Sequence, residues 1–499
     1  MAKDSSYKDI FKSSFLVGGS QIITILIGIV KNKVLAMLLG PSGIGIMGIY
    51  TSIVTLIGSL SNLGINSSAV KFIAEAHGAQ DQPRVNFLVK LIRRVLLVTG
   101  VITSVLMVVF SRQIALLSFG KDFRSEYVAG VGVIALMVLF DNLTVGERAI
   151  LQGQRQLKSL ALGQILGAML GAILGVVIIY FFHFQGIAVY LLATSVCIYL
   201  VNRLQVRFMA AGQSTETLAH ADTKQEVKSV IMLGLAFLIS AVAGSIVAYI
   251  IRLLIVEALG VNGVGLYQSA WGLVNMSFNL VLVAMATDFY PRLVTVAADK
   301  LAVNKTVNEQ VEISIIAALP ILLALYVLSP FFLELLYSSQ FSQANELTKW
   351  LAISCFFRVL CWPLGYIIIA KGRQNLFMIT SIIWEVIHIP IILGCMHVWG
   401  LEGIGLSYVF VYAIVTLGAT LITAHYFGFK WSRDCYRSIF IAAFIIILLV
   451  AADKLLPSRM VFYAVGGLAI VFSSFRFLYV VQSKFELNIV QKIRNKFRK

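Results

Sequence analysis

Three basic side chains sit where a bilayer-spanning helix has no ordinary use for them. They are Lys31 in the apolar stretch 22–40, Arg252 in 226–259 and Arg358 in 343–370. A cation at the centre of a membrane helix costs roughly 2.5–3.5 kcal/mol on insertion scales, so something anionic or watery must meet each one. Arginine offers phosphate a planar fork, and lysine a compact point charge. Lys33 and Lys349 are further cations inside apolar runs, and Asp141, Glu385 and His388 are acids or switchable groups at comparable depth. The chemistry these types support together is capture and release of an anion. No phosphate-cradling loop, paired catalytic carboxylates or nucleophile constellation is present, so an enzyme is not expected, nor a resident cofactor.

Each charge has a plainer reading beside the functional one. Lys31, Lys33 and Arg252 either wall a cationic cavity or snorkel to the outer surface. Arg358 precedes Lys371 by 13 residues and Glu385 follows Arg373 by 12, which puts both about 18–20 Å from the inner face. They either pair and hold two helices in register, or Arg358 meets substrate phosphate while Glu385 releases it with a proton shared by His388. Asp141 either pairs with a cation or binds a coupling ion, H+ or Na+. Lys349 is expected at the outer mouth, and Lys71, Glu75 and Asp288 near the inner face as gate or interface charges. Trp362-Pro363 interrupts the helix beside Arg358 and permits a kink there.

The elements that must carry these residues follow from composition. The 499 residues are 59% hydrophobic with a mean hydropathy of +0.91, which leaves a soluble fold too little polar surface. The apolar runs are about 20 residues or longer, the length of a spanning helix, whereas barrel strands alternate over about ten. The fold class is therefore an all-α polytopic membrane protein. The first run is too long for the apolar region of a cleavable leader. A net charge of +17 would suggest nucleic acid in a soluble chain, but here the basic residues fall in loops, where they fix orientation and meet anionic membrane lipids. No nucleic-acid partner is expected. The five cysteines are scattered without ligand spacing, so neither a disulfide framework nor a metal site is expected.

Fourteen apolar segments are read, at about 11–39, 44–76, 84–110, 126–150, 156–182, 186–211, 226–259, 264–297, 306–338, 343–370, 374–397, 401–428, 436–452 and 459–481. Placing the N-terminus inside collects most of the 40 Lys and Arg on one face, which predicts 14 spans with both termini cytoplasmic. The expected domains are a six-helix lobe at 1–211, a cytoplasmic linker at 212–225, a second six-helix lobe at 226–428, and two extra helices with a basic tail at 429–499. No loop is long enough for a soluble catalytic domain.

The two lobes read as a duplication. Leu39-Gly40-Pro41-Ser42-Gly43-Ile44-Gly45 resembles Leu259-Gly260-Val261-Asn262-Gly263-Val264-Gly265, 220 residues on. Gly153-Gln154-Arg155-Gln156 resembles Gly372-Arg373-Gln374, and His183-Phe184-Gln185-Gly186 resembles His397-Val398-Trp399-Gly400. Six helices per copy is an even number, so the repeat is parallel, and such transporters place substrate between the halves and rock one against the other. The repeat sets Arg252 opposite Asn32, between Lys31 and Lys33, about 10–14 Å below the outer loop.

The region Leu35–Gly45, with Asn66–Glu75, Phe289-Tyr290-Pro291-Arg292-Leu293 and Gly365–Lys371, resembles the polysaccharide flippases of the multidrug/oligosaccharidyl-lipid/polysaccharide exporter superfamily, such as O-antigen (Wzx-type) translocases. The resemblance covers roughly the first twelve segments. It implies translocation of undecaprenyl-diphosphate-linked sugar units from the cytoplasmic to the periplasmic leaflet of the bacterial inner membrane. It also implies a polysaccharide polymerase and chain-length proteins as partners. The two added helices look like those of fourteen-helix members of the lipid II flippase type, where they help form a groove for the lipid tail. The rivals are a multidrug antiporter of the same fold, whose cavity should be acidic, a polymerase or ligase, which needs a larger outer loop, and a non-transporting scaffold. The residues do not name the sugar or the coupling ion.

Overall fold

The structure is a computed structural model that describes residues 2–210 and 223–485. Its helices are α1 (Ala2–Ser61), α2 (Ile65–Gly78), α3 (Gln82–Val109), α4 (Ser111–Phe119), α5 (Glu126–Gly153), α6 (Leu157–Phe182), α7 (Gly186–Ala210), α8 (Thr223–Thr295), α9 (Lys300–Leu336), α10 (Asn345–Ala370), α11 (Gln374–Phe427), α12 (Arg433–Leu455) and α13 (Arg459–Phe485). No strand occurs among the described residues. Ten described helical stretches are long and apolar enough to cross a bilayer. In hydrocarbon every backbone polar group must be satisfied internally, and an all-helical chain achieves this.

Three of the long helices are two limbs joined at a glycine. The joints are Gly40 in α1 (φ 62°, ψ −170°), Gly260 in α8 (φ 72°, ψ −179°) and Gly400 in α11 (φ 54°, ψ −128°). Such angles are open to glycine and strained for other residues. These joints and the short turn at 183–185 fall between the apolar runs read from the sequence, but the run expected at 44–76 is broken at 62–64, where α1 ends and the separate α2 begins.

The backbone repeats where the sequence does. Gly40 and Gly260 share their angles, and both precede the start of a second limb. Arg155 and Gly372 both have positive φ (55° and 72°), and the following Gln156 and Arg373 match closely (φ −81°, ψ 60° and φ −90°, ψ 58°). Two registers need correcting. The backbone pairs Arg155 with Gly372 and Gln156 with Arg373, one residue off the shared Arg-Gln. The turn at His183 (φ 44°, ψ −125°) corresponds to Gly400 (φ 54°, ψ −128°), so Gly400 is the partner of His183 and not of Gly186. The matching His-x-x-Gly strings had set it three residues off.

The chain divides into two compact units, one of Met1–Gln268 with Leu335–Phe341, the other of Ser269–Glu334 with Ser342–Lys499. The boundary falls inside α8. In the first unit α6 presents four buried glycines at every fourth position, Gly163, Gly167, Gly171 and Gly175. They lie under Asn202, Ile198, Thr194 and Tyr190 of the antiparallel α7. Small residues let membrane helices approach closely where no hydrophobic effect drives them together. Beside the start of that stripe Ile73 of α2, Leu88, Ile92 and Leu96 of α3 and Ile150 of α5 form a fully enclosed core, joined by Val206 of α7 and packed by Leu160 of α6. In the second unit Ser432 caps α12 by accepting from the Cys435 amide (3.1 Å), and its own amide donates to Asn308 of α9 (2.7 Å). That double tie fixes where the last two helices start.

Candidate functional site

In the first unit Lys31 is half-buried on α1, its Nζ 5.9 Å from the centroid of the Tyr190 ring. Tyr190 occupies the space that Gly175 leaves by having no side chain. The glycine stripe of α6 thus places the ring against which Lys31 rests. Lys31 is the one charged residue lining a groove of about 600 Å³ formed by Leu26, Ile27, Val30 and Val34 of α1 and Met169–Val177 of α6. Arg252 is held differently. Its Nη1 donates to the Ala248 carbonyl (2.8 Å), its Nη2 to Gln268 Oε1 (3.1 Å), and its guanidinium lies 5.8 Å from the Tyr267 ring. Its Nε is buried with no protein partner. Each cation of the repeated first helix is therefore half-buried beside a tyrosine, on its own set of partners. Lys33 is half-buried as well.

Asp141 of α5 accepts a hydrogen bond from Ser195 of α7 and feels Arg148, two turns along its own face. Lys71 and Glu75 form an exposed i,i+4 pair at 3.8 Å on α2. Asp288 lies outside the described side chains, as does the whole of the expected linker at 212–225.

In the second unit Arg358 of α10 donates through Nη1 to Asn275 Oδ1 (2.8 Å). The next two positions on that helix face, one and two turns on, are Trp362 and Tyr366, with ring centroids 4.6 Å apart. Tyr290 of α8 stands 5.4 Å from Tyr366, over the fully buried Phe289. A guanidinium followed by two half-exposed aromatic rings is thus laid along one helix face. The i, i+4, i+8 spacing was present in the sequence and would have exposed it.

Two expectations are corrected here. Arg358 and Glu385 make no ion pair: Asn275 takes the guanidinium, and Glu385 is exposed on α11. His388 makes its contacts away from Glu385. Three residues turn it by about 60°, so it is buried with Nε2 3.2 Å from Ser407 Oγ and its ring edge-on to Tyr408. Lys349 is also reassigned. It is only 2% exposed, bound to Asp453 (2.6 Å) and Glu346 (2.8 Å), with Tyr326 and Phe462 rings 5.5 and 5.8 Å away. Buried and enclosed by two carboxylates, it joins α10 to α12 and has no face left for a substrate.

Three features escaped the sequence. Glu147 is buried under Arg93 and Arg203. Asp453 gathers Lys349, Arg459 and the Tyr326 hydroxyl. Asp122 accepts from the Val261 amide (2.7 Å) beside the Gly260 joint, where Lys121 pairs with Glu257 (3.0 Å). An acid near the end of an apolar run reads as an interfacial residue, and apart from Arg459 beside Asp453 the partners are 50 or more residues away and leave no local mark. Among the described residues no group of three or more His, Cys, Asp or Glu side chains is placed to hold a metal ion.

Comparison with known proteins completes the description. The profile of a family described as polysaccharide biosynthesis protein matches residues 34–346. A protein of Escherichia coli (strain K12) named lipid III flippase is 22% identical over 395 residues, covering 74% of this chain and 88% of that one, and its Shigella flexneri namesake matches equally. The solved structure of lipid II flippase MurJ in an inward closed conformation aligns with a TM-score of 0.71 over 95% of this chain and 100% of that chain, at 11% identity. An inward-facing multidrug resistance MATE family transporter of the MOP superfamily gives 0.69 over 81% and 95%, at 17% identity. The structural likenesses show the fold, and the family profile spans more than half of the sequence. This multi-pass membrane chain therefore belongs to the polysaccharide biosynthesis protein family and has the fold of MOP-superfamily transporters.

Proposed function

We propose that the protein is a flippase that carries a polyprenyl-diphosphate-linked oligosaccharide, an O-antigen-like repeat unit, from the cytoplasmic to the periplasmic leaflet by alternating access. The observation that carries this is the face of α10. Arg358 stands there with a planar fork for phosphate, and Trp362 and Tyr366 follow with ring surfaces on which the apolar faces of sugars pack. A lipid III flippase among the relatives, and the family itself, support the same substrate class. Arg252 and Lys31 serve the anionic headgroup in the first unit, and Lys33 is a weaker contributor. The topology is fourteen spans with both termini cytoplasmic, and the domain division is 1–211, 212–225, 226–428 and 429–499. Asp141 with Ser195 is the candidate for coupling to H+ or Na+. Lys71, Glu75 and Asp288 act at the cytoplasmic gate, and the polymerase and chain-length proteins of the pathway are the partners.

The test is translocation of a labelled lipid-linked oligosaccharide in vesicles holding the purified protein. Protein-dependent flipping that is lost in Arg358→Gln is expected. Absence of flipping with any lipid-linked oligosaccharide overturns the reading. Export of cationic drugs from the same vesicles replaces it with a multidrug antiporter, and neither activity leaves a scaffold.

A further inference from the structure

The buried carboxylate of Glu147 holds two guanidinium groups side by side. Arg93 Nε and Nη2 reach Oε1 and Oε2 at 2.9 and 2.7 Å, and Arg203 Nη1 reaches Oε1 at 2.9 Å. The Glu147 side chain is 2% exposed, whereas those of Arg93 and Arg203 are 29% and 30% exposed. One carboxylate neutralises one of two cations, so the cluster keeps a positive charge. Among the described residues, Arg93 Nη1 and Arg203 Nε and Nη2 take no part in these bonds to Glu147. None of these nitrogens is buried without a partner, so they are open to the surroundings. The bidentate bond fixes Arg93, and Arg203 is fixed beside it, which removes much of the entropy cost of gathering two long side chains around a ligand.

Position says what kind of ligand. Glu147 lies six residues before the end of α5 and Arg203 seven before the end of α7, about 9–10 Å along each helix, within reach of the polar edge of the bilayer. Lys90 and Arg207, one turn from Arg93 and Arg203 toward those ends, extend the same basic strip. Exposed apolar residues flank it, Leu97 and Val98 on α3 and Leu200 and Leu204 on α7, so a ligand there carries an apolar tail against the helices and an anion against the arginines.

We infer that Arg93 and Arg203, held by Glu147, form a binding site for the phosphate of a lipid headgroup. The ligand is either a phospholipid of the surrounding leaflet or the diphosphate of a polyprenyl lipid on its way to transport. That the site belongs to the inner leaflet rests on the topology proposed above. The binding does not rest on it.

The test is made without transport, so its failure and that of the flippase reading are separable. The purified full-length chain in detergent is titrated with short-chain phosphatidylglycerol, farnesyl diphosphate and neutral diacylglycerol, with binding read by native mass spectrometry. Arg203→Gln keeps both bonds from Arg93 to Glu147 and should weaken the phosphate-bearing lipids about tenfold while leaving diacylglycerol unchanged. Arg112→Gln, on α4, is the control and should change nothing. Tighter farnesyl diphosphate than phosphatidylglycerol identifies the transported lipid as the ligand, and equal binding identifies the surrounding lipid. Either outcome supports the site. Undiminished binding in Arg203→Gln, or an equal loss for diacylglycerol, overturns it. Should Arg203→Gln not purify folded, Arg203→Lys is measured in its place. That variant keeps the charge but loses the fork, and wild-type affinity for the phosphate-bearing lipids would then overturn the proposal.

Discussion

Gly45 and Gly265 meet backbone to backbone: a β-carbon built on either would lie 3.1 Å from the amide nitrogen of the other. The relation is reciprocal in detail. The β-carbon on Gly45 would collide with the Val261 carbonyl, and that on Gly265 with the Pro41 carbonyl, the residue after the Gly40 joint. The two copies of the Leu-Gly-x-x-Gly-x-Gly string are therefore each other's contact, and their last glycines are there because nothing larger fits.

Gly265→Ala should accordingly destabilise the protein by about 1–3 kcal/mol, the usual range for overpacking a tight contact. Gly45→Ala should cost a similar amount because the geometry is mirrored. Gly58→Ala, where nothing beyond the helix's own backbone lies within 4 Å of the added carbon, should be neutral or slightly stabilising. Thermal unfolding of the three variants in detergent reads the difference. Equal midpoints for Gly265→Ala and Gly58→Ala would show that the contact yields without cost.

Asp122 closes the neighbouring corner. Its carboxylate accepts the Val261 amide, one of the unpaired donors at the start of the second limb of α8, as an N-cap does. Asp122→Ala should cost about 1 kcal/mol, and Asp122→Asn, which keeps an acceptor oxygen, less. Hydrogen exchange of the segment after Gly260 checks it: faster exchange in the alanine variant with little change in the asparagine variant is expected.

Much of the architecture was legible because periodicity and glycine placement are local. The runs that became helices, and the joints at Gly40 and Gly260, are marked by their own residues. His183 shows where this stops. It adopts the positive φ that Gly400 adopts in the second half, so side-chain identity misreported the backbone register there. Arg358 was found because a buried cation is conspicuous. Its partner was misassigned because equal depth does not specify which side of a helix a residue occupies. Glu385 shares the depth, but Asn275 shares the side. Lys349 failed similarly, since its carboxylate, Asp453, comes from a helix 104 residues later in the chain.

That pair supports a prediction of its own. Asp453 is 5% exposed at its side chain and accepts from Lys349, Arg459 and Tyr326. Lys349→Met leaves a buried carboxylate short of a partner and should cost about 3–5 kcal/mol, whereas replacing both with apolar residues of similar size recovers much of the loss. Lys349→Met with Asp453→Leu should fold and still translocate. A double variant that melts like wild type but does not transport would return Lys349 to the substrate path.

The charge exchange between Arg358 and Glu385 distinguishes substrate contact from scaffold most directly. Were the two residues partners, Arg358→Glu combined with Glu385→Arg would restore the pair and the activity. In the structure Arg358 is tied to Asn275 and Glu385 is exposed, so the exchange puts a carboxylate against the carboxamide oxygen and beside the aromatic face. An anion there repels a diphosphate, and translocation should fall to background while the protein remains folded. Arg358→Lys keeps the charge but loses the fork, and should retain partial activity. Trp362→Leu and Tyr366→Leu keep the cation and remove the ring surfaces, so the lipid-linked oligosaccharide should require higher concentration while a bare polyprenyl diphosphate binds as before. Initial flipping rates across substrate concentrations, with binding of the bare lipid measured in parallel, separate these effects. Wild-type rates in the exchanged variant would instead make Arg358 a structural residue that pairs with Glu385 in another state of the cycle.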